Sequence, residues 1–200
     1  MIVNDDLNAF GRIPTMIGNK AAINESNLFW GIITGNLAMG DGVALFNAAH
    51  GNLAAVGTAL SISSLSAARA AMRAQKDLAG DFINAEAAFL VVPPELELVA
   101  NQFTSTLYVA ATQGSINPGY NTALTVIVEP RLSANSATAW YLFANPSAVP
   151  TIEYSHLEGE GGLYVEQRLG FEVDGLEIKA RSTFGAKAMD WRGVYKNQGV

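Results

Sequence analysis

The run Phe184-Gly-Ala-Lys-Ala-Met-Asp-Trp-Arg-Gly-Val-Tyr-Lys-Asn197 is the densest part of the chain, mixing large aromatic side chains with charges of both signs. If residues 189–195 are extended, Asp190 and Arg192 share one face, while Met189, Trp191 and, past Gly193, Tyr195 lie on the other. One reading is an amphipathic strand whose Trp fills a core. The other is an interface anchor, because Trp, Tyr and Arg dominate binding energies. Spacing alone favours the core.

Upstream of this run, Phe171 and Val173, then Leu176, Ile178 and Ala180, alternate on either side of Asp174-Gly175, the strongest hairpin signal present. Residues 124–128, 139–144, 151–155 and 163–168 are further short β-rich runs separated by Pro, Gly, Asn and Ser. The C-terminal part therefore reads as a β-meander. The middle is different. Residues 88–92 are short, apolar and β-favouring, and Pro94 then suits a first helical turn, with Glu95 and Glu97 near the positive end of the dipole. Leu96, Val99, Phe103 and Leu107 supply the buried face of that helix.

Ser61 opens another helix, predicted to reach about residue 79, with Ile62, Leu65, Ala68 and Met72 on one face and Gly80 placed to end it. Arg69, Arg73 and Lys76 line the edge of that face. A solvated helix flank explains them, and contact with an acidic neighbour is the sharper alternative. Glycines at 35, 40, 42, 51 and 57 mark a loop before it. Residues 6–34 read as one long helix, because Leu7, Phe10, Ile13, Ile17, Ala21, Leu28 and Ile32 recur at intervals of three, four or seven. Asp5 or Asp6 caps it, Pro14 kinks or restarts it, and the rod that follows would act as a spine.

The chain of 200 residues is long enough to bury roughly 70% of its unfolded surface. It lacks cysteine, which excludes thiolate chemistry, disulfides and Cys-ligated zinc. Its net charge of −6 disfavours general attraction to nucleic acid or to an anionic membrane. No Lys or Arg occurs between residues 77 and 130. Residues 1–6 lack the bases of a secretory signal, and the apolar run at 87–92 is too short to cross a bilayer.

Catalytic motifs are absent from the sequence: there is no GxSxG, P-loop or GxGxxG, and His50 and His156 stand in unrelated contexts. A loop histidine bonded to nearby backbone is the preferred reading of His50 over a general base. Glu153, Glu158 and Glu160, set among glycines, read as a solvated turn rather than a cation site or an acid–base pair. Asn24-Glu-Ser26 matches the glycosylation tripeptide but lies in the predicted helix, without a secretion signal. No catalytic, cofactor-binding or metal-ligating residue is expected.

A resemblance adds what spacing cannot. Residues 174–181 and 184–197 look like the C-terminal signature of the major head (capsid) subunits of Mu-like phages and prophages. Ile2-Val-Asn-Asp-Asp-Leu7, Ala44-Leu-Phe-Asn-Ala-Ala-His-Gly-Asn-Leu53, Ser64-Leu-Ser-Ala-Ala-Arg-Ala-Ala-Met-Arg73, Phe89-Leu-Val-Val-Pro-Pro94 and Thr138-Ala-Trp-Tyr-Leu-Phe143 are similar in content and order, including to versions fused behind a prohead protease. The similarity runs over essentially the whole chain.

The resemblance implies an α+β protein with the tailed-phage major capsid fold of the Hong Kong ninety-seven type. A spine helix and a β-sheet make its peripheral domain, and mixed sheet and helices make its axial domain. The expected division is 1–57, spine helix and following loop; 58–150, axial domain; and 151–200, a β-rich tail returning to the peripheral domain. The implied function is structural: self-assembly with copies of itself into an icosahedral shell that touches packaged DNA only indirectly, in the virion head after assembly in the bacterial cytoplasm, with no membrane or cofactor. Subunit contacts are expected at Arg69, Arg73, Lys76, Asp190, Trp191 and Arg192.

In that family an N-terminal arm and an extended loop precede the spine, and neither is found ahead of residue 6 here. The expectation is accordingly a truncated form, remnant or fragment that folds but assembles poorly. The rival reading is a capsid-fold protein repurposed as an enzyme or small-ligand-binding protein, using the acidic middle or the His50 loop.

Overall fold

Residues 87–92 are apolar without alternation, the pattern of a strand covered on both faces, and they form β1 (Ala87–Val92) at the centre of a sheet. The computed structural model describes residues 12–105, 123–159, 162–170 and 176–200. Within them the chain divides into two compact units. One is made of residues 1–31 and 154–187; the other holds 32–153 and 188–200. Residues 32–57 and 188–200 thus sit with the mixed sheet, whereas the expected division had them with the spine.

In the larger unit, Pro93-Pro94 ends β1, and a 3-10 turn (Pro94–Leu96) leads into α3 (Glu97–Thr104). Leu107, expected on this helix, lies outside the described residues. The chain returns as β2 (Thr125–Val128), which pairs parallel to β1. A short helix, α4 (Pro130–Ser133), leads to β3 (Trp140–Ala144), which runs antiparallel on the other side of β1. The final strand of the chain, β8 (Val194–Asn197), pairs antiparallel with β3, giving the order β2-β1-β3-β8.

One face of this sheet, carrying Leu90, Val92, Trp140, Leu142 and Tyr195, packs on Leu65, Ala68 and Met72 of α2 (Ile62–Arg73) and on Ala100 of α3. Leu96, Val99 and Phe103 pack against the same core. Ser61 caps α2 through a capping box with Ser64. The helix stops at Arg73 rather than near residue 79. Asp77 accepts the amides of Ala79 and Asp81 on its own carboxylate, and Lys76 bridges Phe82, so local side-chain bonds compete successfully with the helix. Lys76 therefore lies in a tight hairpin and not on the helical stripe.

The sheet's opposite face carries Tyr141, which meets Phe46 at 5.5 Å between ring centroids. The glycine-rich segment read as loop is irregular, with one 3-10 turn (Ala48–His50), yet Leu45 and Phe46 are fully buried. It forms the layer over the second face. Asn36 secures it, its amide donating to the Phe46 carbonyl and its oxygen accepting the Phe46 amide. The Lys196 ammonium lies over both the Phe46 and the Tyr141 rings, and burial there pushes its pKa down.

In the smaller unit, α1 (Ile13–Gly35) contributes its residues up to Gly31. Pro14 stands in its first turn, where a missing donor costs nothing; residues 6–11 and the capping aspartates lie outside the described residues. The strands are not a meander. β5 (Tyr164–Leu169) pairs antiparallel with β6 (Leu176–Arg181), and β4 (Ile152–His156) pairs outside them with β7 (Phe184–Ala188). The Asp174-Gly175 turn lies outside the described residues. On the β5–β6 ribbon, Glu166–Lys179 and Arg168–Glu177 pair directly across the strands on one face. Glu25 of α1 ties the strands to the helix, accepting from Ser182 Oγ at 3.3 Å and lying 3.2 Å from His156 Nε2. A cavity of about 390 Å³ between helix and strands is lined by Ile17, Ala21, Leu28, Leu163 and Phe184 among others.

Candidate subunit interface

Four of the six residues marked out by sequence for subunit contact, Lys76, Asp190, Trp191 and Arg192, lie in two turns that the fold brings together near His50. Residues 189–193 are not extended. The Asp190 carboxylate accepts the Arg192 amide at 2.8 Å and pairs with its guanidinium at 3.0 Å, closing a turn before β8. Trp191 consequently does not alternate with its neighbours. Its ring stacks on the His50 imidazole, 4.2 Å between centroids and 9° from parallel, while the Arg192 guanidinium lies 4.6 Å from its centroid. Arg192 Nε donates to the Lys76 carbonyl at 2.7 Å, so this turn braces the hairpin after α2.

His50 is buried. Its Nδ1 lies 3.1 Å from the Leu45 carbonyl and its Nε2 2.9 Å from an Asp41 carboxylate oxygen. The backbone partner is the arrangement expected of a structural histidine; nothing in the sequence pattern pointed to the Asp41 contact. The Val43 amide, and after it the His50 ring, holds the Asp41 carboxyl below its ordinary pKa. A carboxylate with a depressed folded-state pKa contributes stability above its unfolded value, and this is lost as the pH falls through the folded one, below about pH 4. Asp41→Asn is expected to make the acid side of a stability–pH curve shallower, as read from urea midpoints. An unchanged slope would count against the contact.

Asn52, fully buried, joins the same cluster from below. Its Nδ2 donates to the Leu45 carbonyl at 2.8 Å and to the Trp191 carbonyl at 3.3 Å, and its Oδ1 accepts the Asn47 amide. Gln75 Nε2 donates to the His50 carbonyl at 2.9 Å. Neither residue carries a motif that could have revealed it.

Arg69 and Arg73 converge on Glu86, just ahead of β1. Arg69 is buried with Nη2 at 3.6 Å, and Arg73 is exposed with Nη2 at 2.7 Å and Nη1 donating to Asn84. The exposed pair contributes little to stability. Of the six, Arg73 and Lys76 are exposed, Asp190, Trp191 and Arg192 are half-buried, and Arg69 is buried. Glu153 and Glu158 are exposed, and Glu160 lies outside the described residues. Among the described residues, no group of three or more His, Asp or Glu side chains is arranged to hold a metal ion, and no helix is long and apolar enough to cross a membrane.

Comparison with known proteins gives one family. The model for the family described as phage capsid protein matches residues 1–197. No curated protein and no solved structure matches the chain.

Proposed function

We propose, from the premise that this chain belongs to the phage capsid protein family, that it is the major head subunit of a Mu-like phage or prophage. Its capsid role is structural; the finer reading is self-assembly into an icosahedral shell enclosing DNA, with the Hong Kong ninety-seven type of fold. One observation carries that finer reading. The N-terminal helix α1 and the strands β4 to β7 from near the C-terminus share one compact unit, although a second unit containing a mixed sheet intervenes in sequence. This grouping supports the reading, because the resemblance implies a spine helix joined by strands from late in the chain.

The charge balance is compatible with a container. A net charge of −6 offers no uniform grip on polyphosphate, and a shell needs none to enclose its genome. Subunit contact on the second unit would then run along the surface bearing Arg73 and Lys76, with Arg69, Asp190, Trp191 and Arg192 holding it in place.

Light scattering with negative-stain microscopy tests this directly, on the purified chain and on a version extended upstream. Rings or closed particles are expected, fewer from this chain than from the extended version. A chain that remains monomeric in both, at concentrations rising to about 1 mM, well above the micromolar dissociation constants of transient complexes, would overturn the self-assembly reading.

A further inference from the structure

The hairpin after α2 holds an apolar side chain out into solvent on a rigid base. Lys76 bridges Phe82, the Asp77 amide donates to the Asp81 carbonyl at 2.9 Å, and the Asp77 carboxylate accepts the amides of Ala79 and Asp81. Gly80 takes the positive φ of 94° that closes the turn. The base is clamped from two sides, by Arg192 on the Lys76 carbonyl and by the Ile83 amide on the Gln75 carbonyl. At the tip Leu78 is 95% exposed, and Phe82, under the Lys76 ammonium, is 67% exposed. A loop this fixed has little ordering entropy left to lose when it docks.

A groove lies at the other end of the same helix. An open cavity of about 280 Å³ is lined by Ala54, Val56, Thr58, Ser61, Ala67 and Tyr195 among others, and none of its described lining residues is charged. Gly57 shapes its edge. A Cβ there would collide with the Gly199 carbonyl, so the 54–58 segment lies directly against the C-terminal residues. The groove opens at the N-terminus of α2, whose first turn carries no acid of its own, and the positive end of the helix dipole therefore faces it. The hairpin tip brings two acids, Asp77 and Asp81, on either side of Leu78.

Knob and groove are separated by α2, 12 residues or about 18 Å, so one copy cannot fill its own groove by a small adjustment. We propose that the hairpin 76–82 of one copy docks its Leu78 into the Val56–Ala67 groove of the next, with Asp77 and Asp81 against the N-terminus of that copy's α2. Such a contact is heterologous, and its repetition gives a ring where the rotation between copies closes and an open filament where it does not. The proposal rests on the reading that the chain assembles with itself and names the surfaces that do so.

The absence of native cysteine makes trapping clean. Leu78→Cys and Val56→Cys are prepared as separate full-length proteins, mixed in equal amounts and oxidised with diamide, with Leu98→Cys as an exposed control. The 78–56 heterodimer is expected to form at least about tenfold faster than either homodimer or any pair with the control, the selectivity of a contact centred on one anchor. Leu78→Asp, a change at a fully solvated tip, is expected to abolish assembly in light scattering while leaving the circular dichroism unchanged. Assembly by Leu78→Asp like the parent, or indiscriminate cross-linking, overturns the docking inference alone. A parent chain that stays monomeric and gives no cross-link above the control overturns the self-assembly reading and this inference with it.

Discussion

Trp140→Ala is expected to lower the unfolding free energy by about 3–5 kcal/mol, the range for deleting a large aromatic from a packed core. Trp140 begins β3 and is fully buried between α2 and the strands beside it. Its Nε1 donates to the Thr58 carbonyl at 3.2 Å, across 82 residues of sequence. Both losses act together: the ring volume becomes a cavity, and a carbonyl loses its donor. For a chain of this size the expected fall in Tm is roughly 6–20 °C. Trp140→Phe weights the hydrogen bond, keeping most of the apolar volume while removing the Nε1 donor, at about 1–2 kcal/mol. Urea denaturation of both variants is the measurement. A cost below about 1 kcal/mol for the alanine variant would mean that Trp140 does not hold the sheet to the 54–58 segment. The consequence reaches beyond stability, because Thr58 lines the groove at the start of α2.

What sequence reveals of this fold follows from how local its causes are. The strand at 87–92 could be recognised because its apolar run is continuous and two prolines end it. The capping serine of α2 and the buried positions Leu65, Ala68 and Met72 follow from a 3.6-residue repeat and a cap within four residues. Where the deciding contact is distant or belongs to a side chain, the pattern misleads. Residues 74–79 continue a helical composition, but Asp77 binds two amides of its own turn and the helix yields to a hairpin. Alternation across 189–195 suggests a strand, yet the Asp190 carboxylate folds the chain back on Arg192 before β8 begins. The short strands at 152–156 and 164–169 were each legible as strands. Their pairing was not, because register and order depend on which partner is nearest in space. β8 joins β3 rather than β7 because Tyr195 fills the core on the α2 face while Val194 is buried on the opposite face, and Leu53 bridges Lys196 from outside.

The candidate interface divides in the same way. Trp191 and its flanking charges stood out by residue type, and Arg69, Arg73 and Lys76 by spacing. That Glu86 would claim two of the bases, and that Trp191 would lie flat on His50, depends on segments far apart in sequence. The 36–54 segment carried only its glycines as a signal, and glycines announce turns without saying what the turns cover.

Asn52→Ala should reveal how much that covering layer depends on one side chain. Asn52 is fully buried and uses both ends of its amide. Its oxygen accepts the Asn47 amide, and its nitrogen donates to the carbonyls of Leu45 and Trp191, 139 residues away. The Leu45 carbonyl keeps His50 Nδ1 and the Trp191 carbonyl keeps the Val194 amide, but the Asn47 amide loses the Asn52 oxygen it donates to. A stranded amide and a small cavity together are expected to cost about 2–4 kcal/mol. The larger effect is structural. Without Asn52 the turn carrying Trp191 is no longer bonded to the layer carrying His50, so the stack between the two rings should loosen. Trp191 fluorescence, quenched by a stacked imidazole, is then expected to rise in the folded variant, with Trp191→Phe identifying its share of the signal. Faster hydrogen exchange should appear at the Asn47 amide and spread along 45–52. If the variant loses stability uniformly, with Trp191 emission unchanged and exchange across 45–52 like the parent's, then Asn52 is only a core residue. In that case the layer over the second face is held by the packing of Leu45 and Phe46 and by the Asn36 hydrogen bonds to Phe46.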